Sequence, residues 1–214
     1  CDKVKFYQAS TSELFGNSSP PQNENTELCP QSPYGVAKLY AYWIVKNYRV
    51  AHKLFACNGI LFNHESERRG KTFLTRKITQ GIGNILKGNQ QYITVGNLYA
   101  KRDWGHAKDY VEAMWLMLQQ EQPNDYVIAT NEQHTVKEFI ETAFRYAGMP
   151  IVWKGKDYDE VGYDCKSNKM RIKVSEVYYR PAEVNNLLGD YRKAKRLLGW
   201  EPKMSFRNLV ETMV

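Results

Sequence analysis

Apolar positions along this chain fall into two rhythms: short unbroken runs, and longer stretches in which they return every third or fourth residue. Residues 4–9, VKFYQA, are a run of the first kind and predict a strand. A polar loop rich in Asn, Ser and Pro, residues 17–32, separates it from the second kind. Over residues 34–53, Leu39, Tyr40, Trp43, Ile44 and Tyr48 recur at helical spacing and predict a long helix, with Pro33 suited to its first turn. LFACNGILF, residues 54–62, is an apolar run suited to a strand buried on both faces. A loop, NHESERRGK, follows. The same two rhythms then predict a helix over 73–87, a strand over 91–95, a helix over about 106–120 and a strand over 125–130. A helix over 135–148 closes on Gly148, and strands follow at 151–154 and 170–174. Two short helices, 191–198 and 205–214, end the chain. Strands alternating with helices argue for an α/β fold with a mostly parallel sheet.

Composition narrows the function classes. Of 214 residues, 43% are hydrophobic and 25% charged, an ordinary globular balance with enough apolar mass for a sizeable core. No apolar run is long enough to span a bilayer, and residues 1–10 have no signal-peptide core, so no membrane partner is expected. The net charge of +7 invites nucleic acid as a partner, yet no run of Lys and Arg exceeds two residues, and a solvated surface with a few phosphate-binding arginines accounts for it. Cys1, Cys29, Cys57 and Cys165 lie far apart, which suits free thiols in a reducing, cytoplasmic setting. The four histidines show no ligand spacing, so no metal is expected, and the absence of G-x-S-x-G speaks against acyl-enzyme chemistry.

Two short stretches carry the chemistry. The first predicted strand runs into Ser10-Thr11-Ser12-Glu13. On extended backbone, positions i and i+2 share a face, which puts Thr11 and Glu13 together. Tyr34 and Lys38 stand four apart on the predicted helix and share a face as well. A phenol is a poor base near neutrality, and an adjacent ammonium favours its phenolate, so the pair suits removal of a hydroxyl proton. A lysine one turn from a tyrosine is also ordinary helix surface, and the spacing alone leaves both readings open. No glycine-rich phosphate-binding turn follows the first strand. On the residues alone, either no dinucleotide binds or the sequence lacks its N-terminal part.

The surroundings of the pair decide more. Ser32-Pro33-Tyr34-Gly35-Val36-Ala37-Lys38, with the upstream Ser10-Thr11-Ser12-Glu13 and Gly16, resembles the extended short-chain dehydrogenase/reductase family. The resemblance implies a Rossmann-type fold whose glycine turn belongs to a strand upstream of this sequence. Glu13 points further, because a 4,6-dehydratase needs an acid there and a C4 epimerase does not. Asn58 to Ser66, Arg68-Arg69-Gly70, Thr75 to Ile78, Lys101 to Tyr110 and Tyr179 to Val184 all look like motifs of the GDP-mannose 4,6-dehydratases. Glu67 departs from a Pro in that group, and the stretch between Thr11 and Tyr34 is one residue shorter.

What this implies is specific. The fold expected is the C-terminal part of a Rossmann-type parallel sheet plus a smaller α/β substrate-binding domain. Residues 1–62 would be the remainder of the NADP-binding domain, and 63–214 mainly the substrate domain, with about 106–130 returning to the first. Thr11, Glu13, Tyr34 and Lys38 would be catalytic. Tyr34, Lys38, His64 and Arg69 would contact NADP, and Arg68-Arg69 would reach a neighbouring subunit's cofactor. Asn63, Lys77, Arg102, Arg180 and Glu183 would bind GDP-mannose, with Arg102 and Arg180 suited to its pyrophosphate. The reaction implied is redox-neutral dehydration to GDP-4-keto-6-deoxy-mannose, a precursor of GDP-fucose, in a homodimer or homotetramer. The alternatives are another extended family member, such as a C4 epimerase or other 4,6-dehydratase, and an inactive fragment that binds only GDP or a partner subunit.

Overall fold

The computed structural model describes residues 4–179, 184 and 186–214. The elements begin with β1 (Phe6–Thr11), a 3-10 turn (Ser12–Leu14) and α1 (Pro33–Ala51), then β2 (Ala56–Leu61) and β3 (Asn63–Glu65). Next come α2 (Leu74–Leu86), β4 (Ile93–Val95), β5 (Lys101–Arg102), β6 (Trp104–His106), α3 (Ala107–Gln119) and β7 (Asp125–Ile128). β8 (His134–Thr135), α4 (Val136–Tyr146), β9 (Ile151–Lys154), β10 (Val161–Asp164) and β11 (Met170–Val174) follow. The chain closes with α5 (Arg192–Leu198) and α6 (Phe206–Met213). It divides into two units. One is Cys1–His64, Lys101–Gln133 and Val184–Met204; the other is Glu65–Ala100, His134–Glu183 and Ser205–Val214.

The first unit is built on a parallel sheet in the order β1-β2-β7. Phe6 to Thr11 pair in step with Ala56 to Leu61, and Asn58 to Leu61 with Asp125 to Ile128. All six residues of β2 are buried, as its unbroken apolar run requires of a central strand. Side chains alternate to two cores. Cys57 and Leu61 meet Tyr110, Ala113 and Met117 of α3 and Ala194, Leu198 and Trp200 at α5. Ile60, Val127 and Ala129 meet Leu14, Phe15 and Tyr42. Arg49 on α1 ties helix to sheet: its Nε donates to Ala56 O at 2.8 Å and its two terminal nitrogens grip the buried Asp125. Asp125 Oδ1 also accepts the Asn58 side-chain amide at 2.9 Å.

α1 forms as expected, with Ser32 Oγ accepting the Gly35 N–H at 3.0 Å and Pro33 in its first turn, but its apolar stripe faces outward. The side chains it buries are Tyr42 and Val45, whereas Tyr40 is 71% and Trp43 54% exposed, with Ile44 and Tyr48 also at the surface. One more expectation changes here. The strand ends at Thr11, so Glu13 sits in the 3-10 turn and shares no strand face with Thr11. The reason is local: Thr11 Oγ1 accepts the Glu13 N–H at 3.3 Å and caps the turn, as short hydroxyl side chains do. The polar loop over 17–32 also holds a fully buried side chain, Gln22.

The second unit carries a four-stranded mixed sheet in the order β4-β11-β10-β9. β4 and β11 run parallel, and β9 to β11 form an antiparallel meander in which β10 is a strand the periodicity did not disclose. α2, α4 and α6 bury Ile78, Ile82, Phe139, Phe144, Leu209 and Val210. Gly81 lets α2 close on β4, since a Cβ there would lie 2.5 Å from Ile93 Cδ1. No helix of the described residues is long and apolar enough to cross a membrane. Cys29, Cys57 and Cys165 are free thiols, and Cys1 lies outside the described residues.

Candidate active site

The candidate catalytic residues Thr11, Glu13, Tyr34 and Lys38 all fall in the first unit. They gather where β1 ends and α1 begins, at the carboxyl end of the parallel strands, the usual place for a ligand in such sheets. Thr11 is buried and Glu13 half-buried. Thr11 Oγ1 spends one lone pair on the Glu13 N–H and keeps its O–H for another acceptor. The first turn of α1 lies directly on this segment. A Cβ at Gly35 would be 2.9 Å from Pro30 Cβ and 3.1 Å from the Glu13 carbonyl oxygen, so a side chain there would push the helix carrying Tyr34 away from this segment. Gly16 seals the same corner: its φ is +51° and a Cβ there would overlap Cys29 O.

Tyr34 is 54% exposed, with its ring open to a ligand. Lys38 Nζ lies 5.8 Å from that ring's centroid and donates to Ala9 O on β1 at 2.9 Å. One strand and one helix thus hold an ammonium, a phenol, a hydroxyl and a carboxylate in one place. Beside Thr11, Ser10 Oγ is buried and meets no protein partner.

The other candidates divide. Asn63 and His64 leave the end of β2 in the same unit. The His64 ring stacks on Tyr110 with centroids 5.0 Å apart, and its Nδ1 lies 2.9 Å from Phe62 O, which fixes the ring's orientation. Arg102 is also in this unit, half-buried, its Nη1 donating to Lys101 O at 2.9 Å. Arg69 and Lys77 belong to the second unit. Arg69 pairs through Nε with Glu65 at 3.1 Å and lies 3.7 Å over the Phe73 ring. Burial pushes the Glu65 carboxyl up, against the pull of Arg69 and of the Thr75 hydroxyl at 2.6 Å. Lys77 Nζ caps the Tyr178 ring at 3.8 Å. Arg180 and Glu183 lie outside the described residues.

Sequence reasoning passed over Asp103. It is fully buried in the first unit, and its two oxygens accept four hydrogen bonds. Burial pushes its carboxyl up to about 6 while those bonds pull it down. It lies inside the stretch Lys101 to Tyr110, of which Arg102 alone was a candidate, and nothing in the pattern marked the acid as internal.

Solved structures share this architecture. RMD from Pseudomonas aeruginosa in complex with NADPH superposes with a TM-score of 0.80 at 17% identity, over 98% of this chain and 64% of that one. A dTDP-glucose 4,6-dehydratase from Bacillus anthracis in complex with NAD gives 0.78 at 22% identity, over 98% and 60%. Fold and site together therefore define a Rossmann-type α/β protein.

Closer kinship comes from the sequence. The pattern of the family described as GDP-mannose 4,6 dehydratase matches residues 1–213. The GDP-mannose 4,6 dehydratase of Dictyostelium discoideum is 58% identical over 213 residues, 99% of this chain and 60% of that protein. The human enzyme of that name is 57% identical over 214 residues, 100% of this chain and 58% of its own length. That of Vibrio cholerae is 50% identical over 222 residues, 99% and 60%. The chain belongs to the GDP-mannose 4,6 dehydratase family. It spans less than two thirds of the length of each of these three relatives.

Proposed function

We propose that the protein dehydrates GDP-mannose to GDP-4-keto-6-deoxy-mannose, with NADP as a tightly bound cofactor and no net redox change. The observation that carries this is the joining of Thr11, Glu13, Tyr34 and Lys38 at one strand end in a chain of this family. The residues present fit the nicotinamide–ribose end of a dinucleotide. Lys38 offers an ammonium at the strand edge, Tyr34 an exposed ring, and Ser10 a buried hydroxyl with no protein partner. Tyr34, Lys38 and His64 would hold that end, with Arg69 assigned to the cofactor by resemblance. NADP, when bound, supplies a reversible hydride acceptor.

The protein's own groups handle the protons. Tyr34 removes the 4-hydroxyl proton as the C4 carbonyl forms, and the Thr11 hydroxyl donates to that oxygen and orients it. Lys38 stabilises the phenolate. The new carbonyl acidifies C5–H. Glu13 takes the C5 proton as the C6–O bond breaks, and its protonated form delivers that proton to the departing hydroxyl, which leaves as water. A proton from water then returns to C5 while C6 regains the hydride taken from C4, so the sugar ends with no net redox change. Arg102 and Asn63 would hold the nucleotide, and Lys77, Arg180 and Glu183 are assigned the same task by resemblance. A C4 epimerase would have no use for an acid at Glu13.

Self-association belongs to the same reading. Val36, Tyr40, Trp43, Ile44 and Tyr48 leave α1 with a continuous apolar face at the surface, and a second copy of α1 is its natural cover. Tyr40→Glu combined with Ile44→Glu should lower the mass seen by light scattering, and an unchanged mass would refute this interface. For the activity, the full-length protein incubated with GDP-mannose should yield a 4-keto-6-deoxy sugar nucleotide. Formation of a C4 epimer instead would overturn the assignment.

A further inference from the structure

We propose that Asp103 is a positioning residue: its buried carboxylate clamps three chain segments together and so presents Arg102 to the diphosphate of the nucleotide sugar. The proposal rests on the reading that this site binds such a substrate. Asp103 Oδ1 accepts the Thr130 N–H at 2.8 Å and the Thr130 hydroxyl at 2.7 Å. Oδ2 accepts the N–H groups of Asn131 at 3.1 Å and Gly189 at 3.2 Å. One side chain thus joins the β5–β6 junction, the turn after β7 and the stretch 186–190, all within the first unit.

A second buried side chain holds the same stretch. Gln22 accepts from Leu188 N through Oε1 at 3.0 Å and donates from Nε2 to Asn186 O at 3.3 Å. Its backbone exchanges bonds with Leu188 O and the Asp190 N–H, both at 2.8 Å. Gly189 packs so closely that a Cβ would lie 2.2 Å from Ala129 Cβ, and its N–H is aimed at Asp103. Lys101, next to Arg102, bridges to Asn186. The backbone bearing Arg102 is therefore fixed on both sides, through Lys101 and through Asp103.

The clamp uses both side-chain oxygens as acceptors. Asn at 103 would keep the shape but replace one acceptor with an NH2 group, which would face the Asn131 and Gly189 N–H groups in one orientation and the Thr130 N–H in the other. The Thr130–Asn131 turn or Gly189 would move, and Arg102 with it. A side chain that merely filled the core would show no energetic link to Arg102.

The test is a double-mutant cycle in the full-length, cofactor-loaded protein, with GDP as the calorimetric probe and GDP-mannose for kinetics. Asp103→Asn should weaken GDP binding and raise KM about tenfold, with kcat and cofactor content little changed. The same change in an Arg102→Ala background should cost little more, because the guanidinium it serves is gone. Thr130→Val, which removes one of the four donors to Asp103 together with the hydroxyl's bonds to Glu132, should reproduce a smaller loss of GDP affinity and serves if Asp103→Asn does not fold. GDP binding undiminished by either variant, or losses that add fully to that of Arg102→Ala, would overturn the proposal. Wild-type protein that fails to bind GDP would instead sink the nucleotide-sugar reading, and this proposal with it.

Discussion

Gly35→Ala is a test in which two simple rules give opposite signs. Gly35 is third in α1, and its N–H reaches the capping Ser32 Oγ. A Cβ there would lie 2.9 Å from Pro30 Cβ, 3.1 Å from Glu13 O and 3.3 Å from Ser32 Oγ. The first two belong to a proline ring and a backbone carbonyl, neither of which yields by turning a rotamer. Forcing a methyl into packed space costs about 1–3 kcal/mol, while alanine in place of glycine returns up to about 1 kcal/mol of helix propensity. The expected balance is a net loss of up to about 2 kcal/mol, read from urea unfolding followed by tryptophan fluorescence. The function should suffer more than the stability. The strain falls between Glu13 and Tyr34, and since misplacing reacting groups by about 1 Å costs about 10²-fold in rate, that figure is the upper limit for the smaller shift expected here. A variant stabilised by about 1 kcal/mol with unchanged turnover would mean that helix propensity alone governs this position and that the close packing of the turn on α1 is irrelevant.

Tyr34→Phe should lower the first hydride transfer by about 10²–10⁴-fold with GDP affinity retained, as seen in single-turnover formation of reduced cofactor, and normal transfer would remove Tyr34 from its role. Asp125→Ala should destabilise by about 3–5 kcal/mol, because it strands the Arg49 guanidinium and the Asn58 amide; a loss under 1 kcal/mol in urea would show that water replaces the carboxylate. Asp103 titrates at about 6 when folded against an ordinary 3.8. The folded state thus holds this proton more tightly, and the group's contribution is complete below about pH 4 and lost as pH rises through 6, by about 3 kcal/mol at most. Asp103→Asn should flatten that part of the stability-versus-pH curve, and an unchanged slope would refute the shift.

The sequence disclosed what depends on long periodicity. The helices at α1 to α4 and the parallel strands β1, β2 and β7 lie within a few residues of their predicted spans, because each carries a run of apolar residues with one clear rhythm. Short elements escaped, since two or three residues such as Trp104 to His106 hold no period. The turn at Ser12–Leu14 escaped for another reason: a hydroxyl cap decided it, and the strand pattern upstream gave no warning. α1 shows the limit of periodicity itself. The spacing of Tyr40, Trp43, Ile44 and Tyr48 is helical, but nothing in it says which face meets the sheet. Candidate site residues stood out where a motif is contiguous, as in Tyr34 and Lys38. Asp103 and Gln22 did not, because their partners come from Thr130, Leu188 and Gly189, far away in the chain.

Solvent exchange at C5 tests the central claim most directly, because it isolates the step that separates dehydration from epimerisation. The full-length protein should be incubated with GDP-mannose in D2O and the product examined by NMR, beside a Glu13→Gln variant. The account predicts a 4-keto-6-deoxy product carrying deuterium at C5 from the wild type. The variant should neither exchange C5 nor release water, since its amide cannot accept that proton. Dehydration by Glu13→Gln at the wild-type rate would contradict it.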